Sequence, residues 1–133
     1  MYNKEIKYVD FDGNERTETF QFHLSKAELA EMELSKVGGF KNYIQAIIDA
    51  DDREQLLTLF KGLILKSYGR KSEDGKRFVK SEEISRAFEE CPAYSELFIE
   101  LVTNTDAAVS FVNGIIPPEL QKKVEESSKQ LEG

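Results

Sequence analysis

The chain holds a single cysteine, Cys91, and a single histidine, His23, in 133 residues. One thiol closes no intramolecular disulfide, so a reducing compartment is the natural setting. One imidazole, with no cysteine or second histidine beside it, builds neither a zinc site nor a nucleophile–base pair. His23 is therefore expected as a solvent-facing strand residue, and Cys91 as a structural thiol at a helix end. A surplus of positive charge is missing as well. The formal net charge is −7, which argues against phosphate-backbone binding as the main role, and no nucleic-acid partner is expected. No apolar run approaches the roughly 18 residues of a membrane span, and the N-terminus, MYNKEIKYVD, has no signal core. The expectation is a cytosolic protein without membrane contact.

What is present suffices for one domain with a real core. Residues 1–116 are read as a single α+β domain, an N-terminal β-hairpin packed on about six helices, and residues 117–133 as a polar tail. Ile6 and Tyr8 alternate with polar neighbours, and Thr17, Thr19, Phe20, Phe22 and Leu24 repeat that period beyond an Asp12-Gly13-Asn14 turn. Ser25-Lys26-Ala27-Glu28 is a capping box that opens a helix to about Leu34. Gly38-Gly39 breaks it. Phe40, Tyr43, Ile44, Ile47 and Ile48 mark a second helix, and Asp51 or Asp52 is expected to cap the third.

The third helix organises the chain. Leu56, Leu57, Leu59, Phe60, Leu63, Ile64 and Leu65 leave little of it to face water, as expected of a buried central helix. Gly69 stands where a left-handed C-terminal cap would sit, followed by a charged loop over Lys71–Lys76. Ser81 starts a short helix with Ile84, Ala87 and Phe88. Cys91-Pro92 ends it, and Pro92 opens the next, with Tyr94, Leu97, Phe98, Leu101 and Val102 on its apolar face. Thr105 caps a helix that Gly114 stops. After Pro117-Pro118, residues Glu119 to Leu131 form either a solvated helix or a linker.

Reactive constellations are lacking. Asp10, Asp12 and Asn14 imitate the start of a calcium loop, but glycine falls at position four and Gln21 stands at position twelve. Asp49, Asp51 and Asp52 at a helix junction fit capping better than acid–base work. Gly38-Gly39 lacks the lysine and hydroxyl of a phosphate loop. No catalytic, cofactor-binding or metal residue is expected, and no enzyme. Lys66, Arg70, Lys71, Lys76, Arg77 and Lys80 form a basic patch that is either a solvated loop or a contact for an acidic partner surface. Apolar residues are in surplus near the end. Ile99 is out of phase with Leu97 and Leu101, and Phe111-Val112 with Ile115-Ile116 outruns one helical stripe. Phe98, Ile99, Val102, Phe111, Val112, Ile115 and Ile116 are accordingly the expected partner-binding residues.

The order YVDFDGNERTETFQFHLSKAELAEME, LKSYGRKSEDGKRFVKS and AYSELFIELVTNTDAAVSFVNGIIP, spanning about Lys4 to Pro117, resembles the tail assembly chaperones of long-tailed phages and prophages of Gram-positive bacteria. The most distinctive block runs from Ser67-Tyr68-Gly69 to Phe78. The resemblance implies a small protein of the host cytoplasm that coats the tape measure protein and keeps it soluble. Tail-tube subunits then polymerise and displace it. It also implies a longer form made by ribosomal frameshift, for which Lys122-Lys123 is compatible with a slippery adenine run. Self-association into a homo-oligomer is open on this reading. The competing expectation is a connector or tube-associated component retained in the virion. A long chain with apolar helical faces aggregates unless those faces are covered, and many weak copies along one chain gain avidity.

Overall fold

The computed structural model describes residues 1–35 and 38–116. The proposed polar tail and its Pro117-Pro118 junction lie outside the described residues.

Strands β1 (Tyr2–Val9) and β2 (Glu15–Phe22) form the expected hairpin, with Ile6 opposite Glu18 and Tyr2 opposite Phe22. The turn is held by Asp10, whose carboxylate accepts the N–H groups of Asp12 and Asn14 (both 2.9 Å) and the Arg16 guanidinium. These bonds hold the Asp10 carboxyl below its usual range, the Arg16 contact counting most. The acidic residues that imitate a calcium loop thus serve as turn chemistry. Gly13 supplies the positive φ (83°) the turn needs.

Among the described residues six helices follow: α1 (Lys26–Ser35), α2 (Phe40–Ala50), α3 (Arg53–Ser67), α4 (Glu82–Glu89), α5 (Pro92–Thr103) and α6 (Thr105–Ile115). Their starts obey local chemistry. Ser25 Oγ accepts the Glu28 N–H (3.1 Å) while Glu28 Oε1 accepts the Ser25 N–H (3.0 Å), the reciprocal capping box. Asp52 caps α3 through the Gln55 N–H, Ser81 caps α4 through the Ile84 N–H, and Pro92 is the first residue of α5. At α6 the cap is Asn104, which accepts the Ala107 N–H, one residue before the expected Thr105.

Two further strands were not expected. β3 (Tyr68–Lys71) pairs with β2, and β4 (Phe78–Val79) pairs with β3, giving an antiparallel sheet of order β1-β2-β3-β4. Gly69 is therefore not a left-handed cap. It is buried in β3, where an added Cβ would lie 2.6 Å from the Phe78 ring and 2.7 Å from the Val79 carbonyl oxygen. Gly114 does not stop α6 either. The helix continues to Ile115, and the missing Cβ admits the Tyr2 ring.

The core lies between one face of this sheet and the helices. Phe22 packs edge-on against Phe111 and Phe88 (centroids 5.4 and 5.7 Å), and Tyr68 stacks on Phe88 at 4.2 Å. Leu24, Phe60, Ile64, Leu97 and Ile115 are fully enclosed with them. The two ends of the domain meet here: the Leu24 N–H donates to the Ile115 carbonyl (3.0 Å). His23, beside it, is only half-exposed. Its Nδ1 is buried, its ring meets the edge of Phe78, and burial is the main cause that pulls its pKa below the usual value. The solvent-facing expectation is thus corrected, because the Phe78 ring of β4 packs against the imidazole.

Candidate protein-docking site

α3 is less enclosed than its composition predicts. Phe60, Leu63 and Ile64 are buried, but Leu56 is half-buried and Leu57 is 44% exposed. The two leucines stand at the N-terminal end of the helix and line a groove together with the C-terminal end of α5 and the start of α6. This open groove measures about 600 Å³. Its floor is apolar, made by Ile48 of α2, Leu56 and Phe60 of α3, Leu101 and Val102 of α5, and Ala108 of α6. Asp51, Arg53, Thr103 and Thr105 form the polar rim. Asp51 takes a left-handed conformation (φ 51°) to close α2, and this turns the chain sharply into α3.

The seven residues expected to face a partner divide. Val102 lines the groove. Ile99, 58% exposed, sits one helical turn before Thr103, whose hydroxyl donates to the Ile99 carbonyl. Phe98 is half-buried and stacks on Tyr94 at 5.8 Å. The other four are in the core: Phe111 and Ile115 are fully enclosed, and Val112 and Ile116 are buried. They outrun one helical stripe because α6 is covered on two sides. Tyr2 and Phe22 press on Phe111, while the Leu24 backbone bonds to Ile115. Leu56 and Leu57 are the groove residues that sequence reasoning missed. The apolar width of α3 is visible in the sequence, but width alone implies burial on nearly all sides.

The arrangement offers shape and apolar surface, with little reactive chemistry. Among the described residues there is no group of three His, Cys, Asp or Glu side chains placed to hold a metal. The Tyr8 hydroxyl donates to Glu18 (2.7 Å), which raises its pKa, with burial and Cys91 adding to the shift. This pair lies on the sheet, and neither residue lines the groove. In the basic patch, Lys80 is already committed, donating to Glu28 Oε1 (2.6 Å) and to the Lys66 carbonyl (3.1 Å). Lys66, Arg70, Lys71, Lys76 and Arg77 are exposed. No helix among the described residues is long and apolar enough to cross a membrane.

No curated protein and no solved structure matches this chain. A family model described as phage tail assembly chaperone matches residues 1–132, nearly the whole sequence. The chain belongs to the phage tail assembly chaperone family.

Proposed function

We propose that this chaperone holds apolar helical segments of the tape measure protein in the groove between α3 and α5, and releases them as tail-tube subunits polymerise. The observation that carries the reading is the groove itself, an apolar floor that includes half-buried Leu56 and Val102, with Leu57 exposed beside them. A helix laid in a groove buries anchors at i, i+3, i+4 and i+7, and an acidic, self-repelling protein keeps such a complex in solution. The partner-facing set is then Ile99 and Val102 together with Leu56 and Leu57, with Phe98 at the margin. Phe111, Val112, Ile115 and Ile116 support these positions from the core.

The test is co-expression with the tape measure protein encoded beside it. The wild-type chain is expected to yield a soluble complex. Leu57→Lys and Ile99→Glu are expected to lose pull-down while their thermal melts stay near wild type, since both side chains are exposed. A tape measure protein that remains equally insoluble with and without this chain refutes the proposal. Recovery of the chain from purified virions, by mass spectrometry, would favour a retained structural component instead.

A further inference from the structure

β1 is one edge of the sheet, and the long one; the other is the two-residue β4. Its register with β2 places Asp10 opposite Asn14, and the Asp10 N–H donates to the Asn14 carbonyl (2.9 Å). Hydrogen-bonded pairs alternate along an antiparallel ladder. Tyr2, Lys4, Ile6 and Tyr8 therefore turn their backbone groups toward β2, and Asn3, Glu5, Lys7 and Val9 turn theirs away. Among the described residues nothing pairs with that outward row. An eight-residue strand with an open edge is a template for another strand.

We infer that β1 of a second copy of this chain closes the edge, antiparallel about a twofold axis through Ile6. The axis demands that facing residues share a side of the sheet, so an outward-bonding residue must face another of the same set. Three registers near the centre of the strand satisfy this. Centring on Glu5 sets Glu5 against Glu5, and centring on Lys7 sets Lys7 against Lys7. Centring on Ile6 sets Glu5 against the partner's Lys7 and Lys7 against the partner's Glu5, with Asn3 facing the partner's Val9. Charges on an edge usually block pairing; here their alternation of sign admits one register and rejects its neighbours.

The same register has a second consequence. Met1 falls opposite the partner's Phe11. Phe11 is 87% exposed and Met1 44%, and with Val9 (54%) they make three of the seven large apolar side chains left in solvent among the described residues. Val9 lies on this strand, Phe11 in its turn and Met1 just before it, and self-pairing sets Met1 and Phe11 opposite each other at each end of the shared ladder. The two four-stranded sheets become one continuous sheet. An isologous contact of this kind is self-limiting, because it consumes the β1 edge of both copies at once.

The inference rests on β1 alone and is independent of the groove. Sedimentation of the full chain, followed from micromolar to millimolar concentration, is expected to show a monomer–dimer equilibrium that weakens with salt. Glu5→Lys alone and Lys7→Glu alone each set like charges opposite at two points, and each is expected to weaken dimerisation by roughly tenfold or more. An equimolar mixture of the two variants restores the dimer, now as a heterodimer, and the double variant E5K/K7E restores it in one chain. Both positions are exposed, so the melts stay near wild type. As a second readout, the Glu5 and Lys7 amides are expected to exchange slowly in the dimer and fast on dilution. A wild-type chain that stays monomeric throughout, single variants that dimerise like wild type, or a mixture that fails to pair would each overturn the inference.

Discussion

Replacing Gly69 tests how the middle of the domain is built. A methyl group at this position would stand 2.6 Å from Phe78 Cε1, 2.7 Å from the Val79 carbonyl oxygen and 2.9 Å from Lys80 Cγ. The lysine tip can swing, but the carbonyl belongs to β4 and cannot move without the strand. Restoring ordinary contact requires β4 to retreat by roughly 1 Å, at an overpacking cost of about 1–3 kcal/mol. Retreat also loosens the pairing of Arg70 with Val79 and Lys71 with Phe78, where each net hydrogen bond contributes about 1 kcal/mol. Gly69→Ala is thus expected to lose about 2–3 kcal/mol in urea denaturation, a fall of about 10 °C in Tm for a domain of this size. Gly69→Asn separates the two possible roles of the glycine. Asparagine is tolerated at a left-handed helix cap, whereas between β3 and β4 it must do worse than alanine. An asparagine variant at least as stable as the alanine variant would refute the close-packing account.

Two more predictions address the core and its charges. Phe111→Ala empties the space between Tyr2 and Phe22 and is expected to cost about 3–5 kcal/mol, enough to unfold much of the population; a variant with a near-wild-type denaturation midpoint would return Phe111 to the partner surface. Stability is also expected to fall with acid in two stages. His23 titrates below its ordinary 6.5, chiefly through burial and then through the N-terminus and Lys80, so the unfolded chain takes up its proton first and stability declines as pH drops from about 6.5. Burial pushes Glu28 up, but Lys80 and Ser25 more than offset it and hold it below its ordinary 4.5, so its contribution is present above that value and is lost as pH falls through the folded midpoint. His23→Gln should flatten the upper stage and Lys80→Met the lower. An NMR titration placing the His23 midpoint at or above 6.5 would contradict the assignment.

Local chemistry was the part of the fold most legible in sequence. The capping box at Ser25, the caps at Asp52 and Ser81, the proline start at Pro92 and the hairpin turn each depend on a few adjacent residues, and each formed as read. The failures share one cause, which is that the deciding neighbour was distant in the chain. Gly69 resembles a cap until Phe78 and Val79 fold over it. Gly114 resembles a stop until Tyr2 packs against it. β3 and β4 are too short and too charged to show a strand period, and they form because β2 supplies an edge at Gln21 and Phe22. The docking site suffered likewise. Surplus apolar residues in α6 read as surface until the hairpin consumes them, while exposed Leu57 and half-buried Leu56 are hidden inside the most apolar segment. Ile99 is legible because its phase on α5 departs from the core stripe, whereas Val102 shares that stripe and is half-buried.

The bond from Leu24 to Ile115 and the packing of Tyr2 on Phe111 set a timetable for synthesis. Early hairpin residues have no seat until the ribosome has released a segment made almost at the end of the domain. Contacts of such long separation form late and slowly, and during that interval Phe22 and Leu24 stay uncovered on the nascent chain. A member of a chaperone family thus emerges needing shelter for its own apolar side chains.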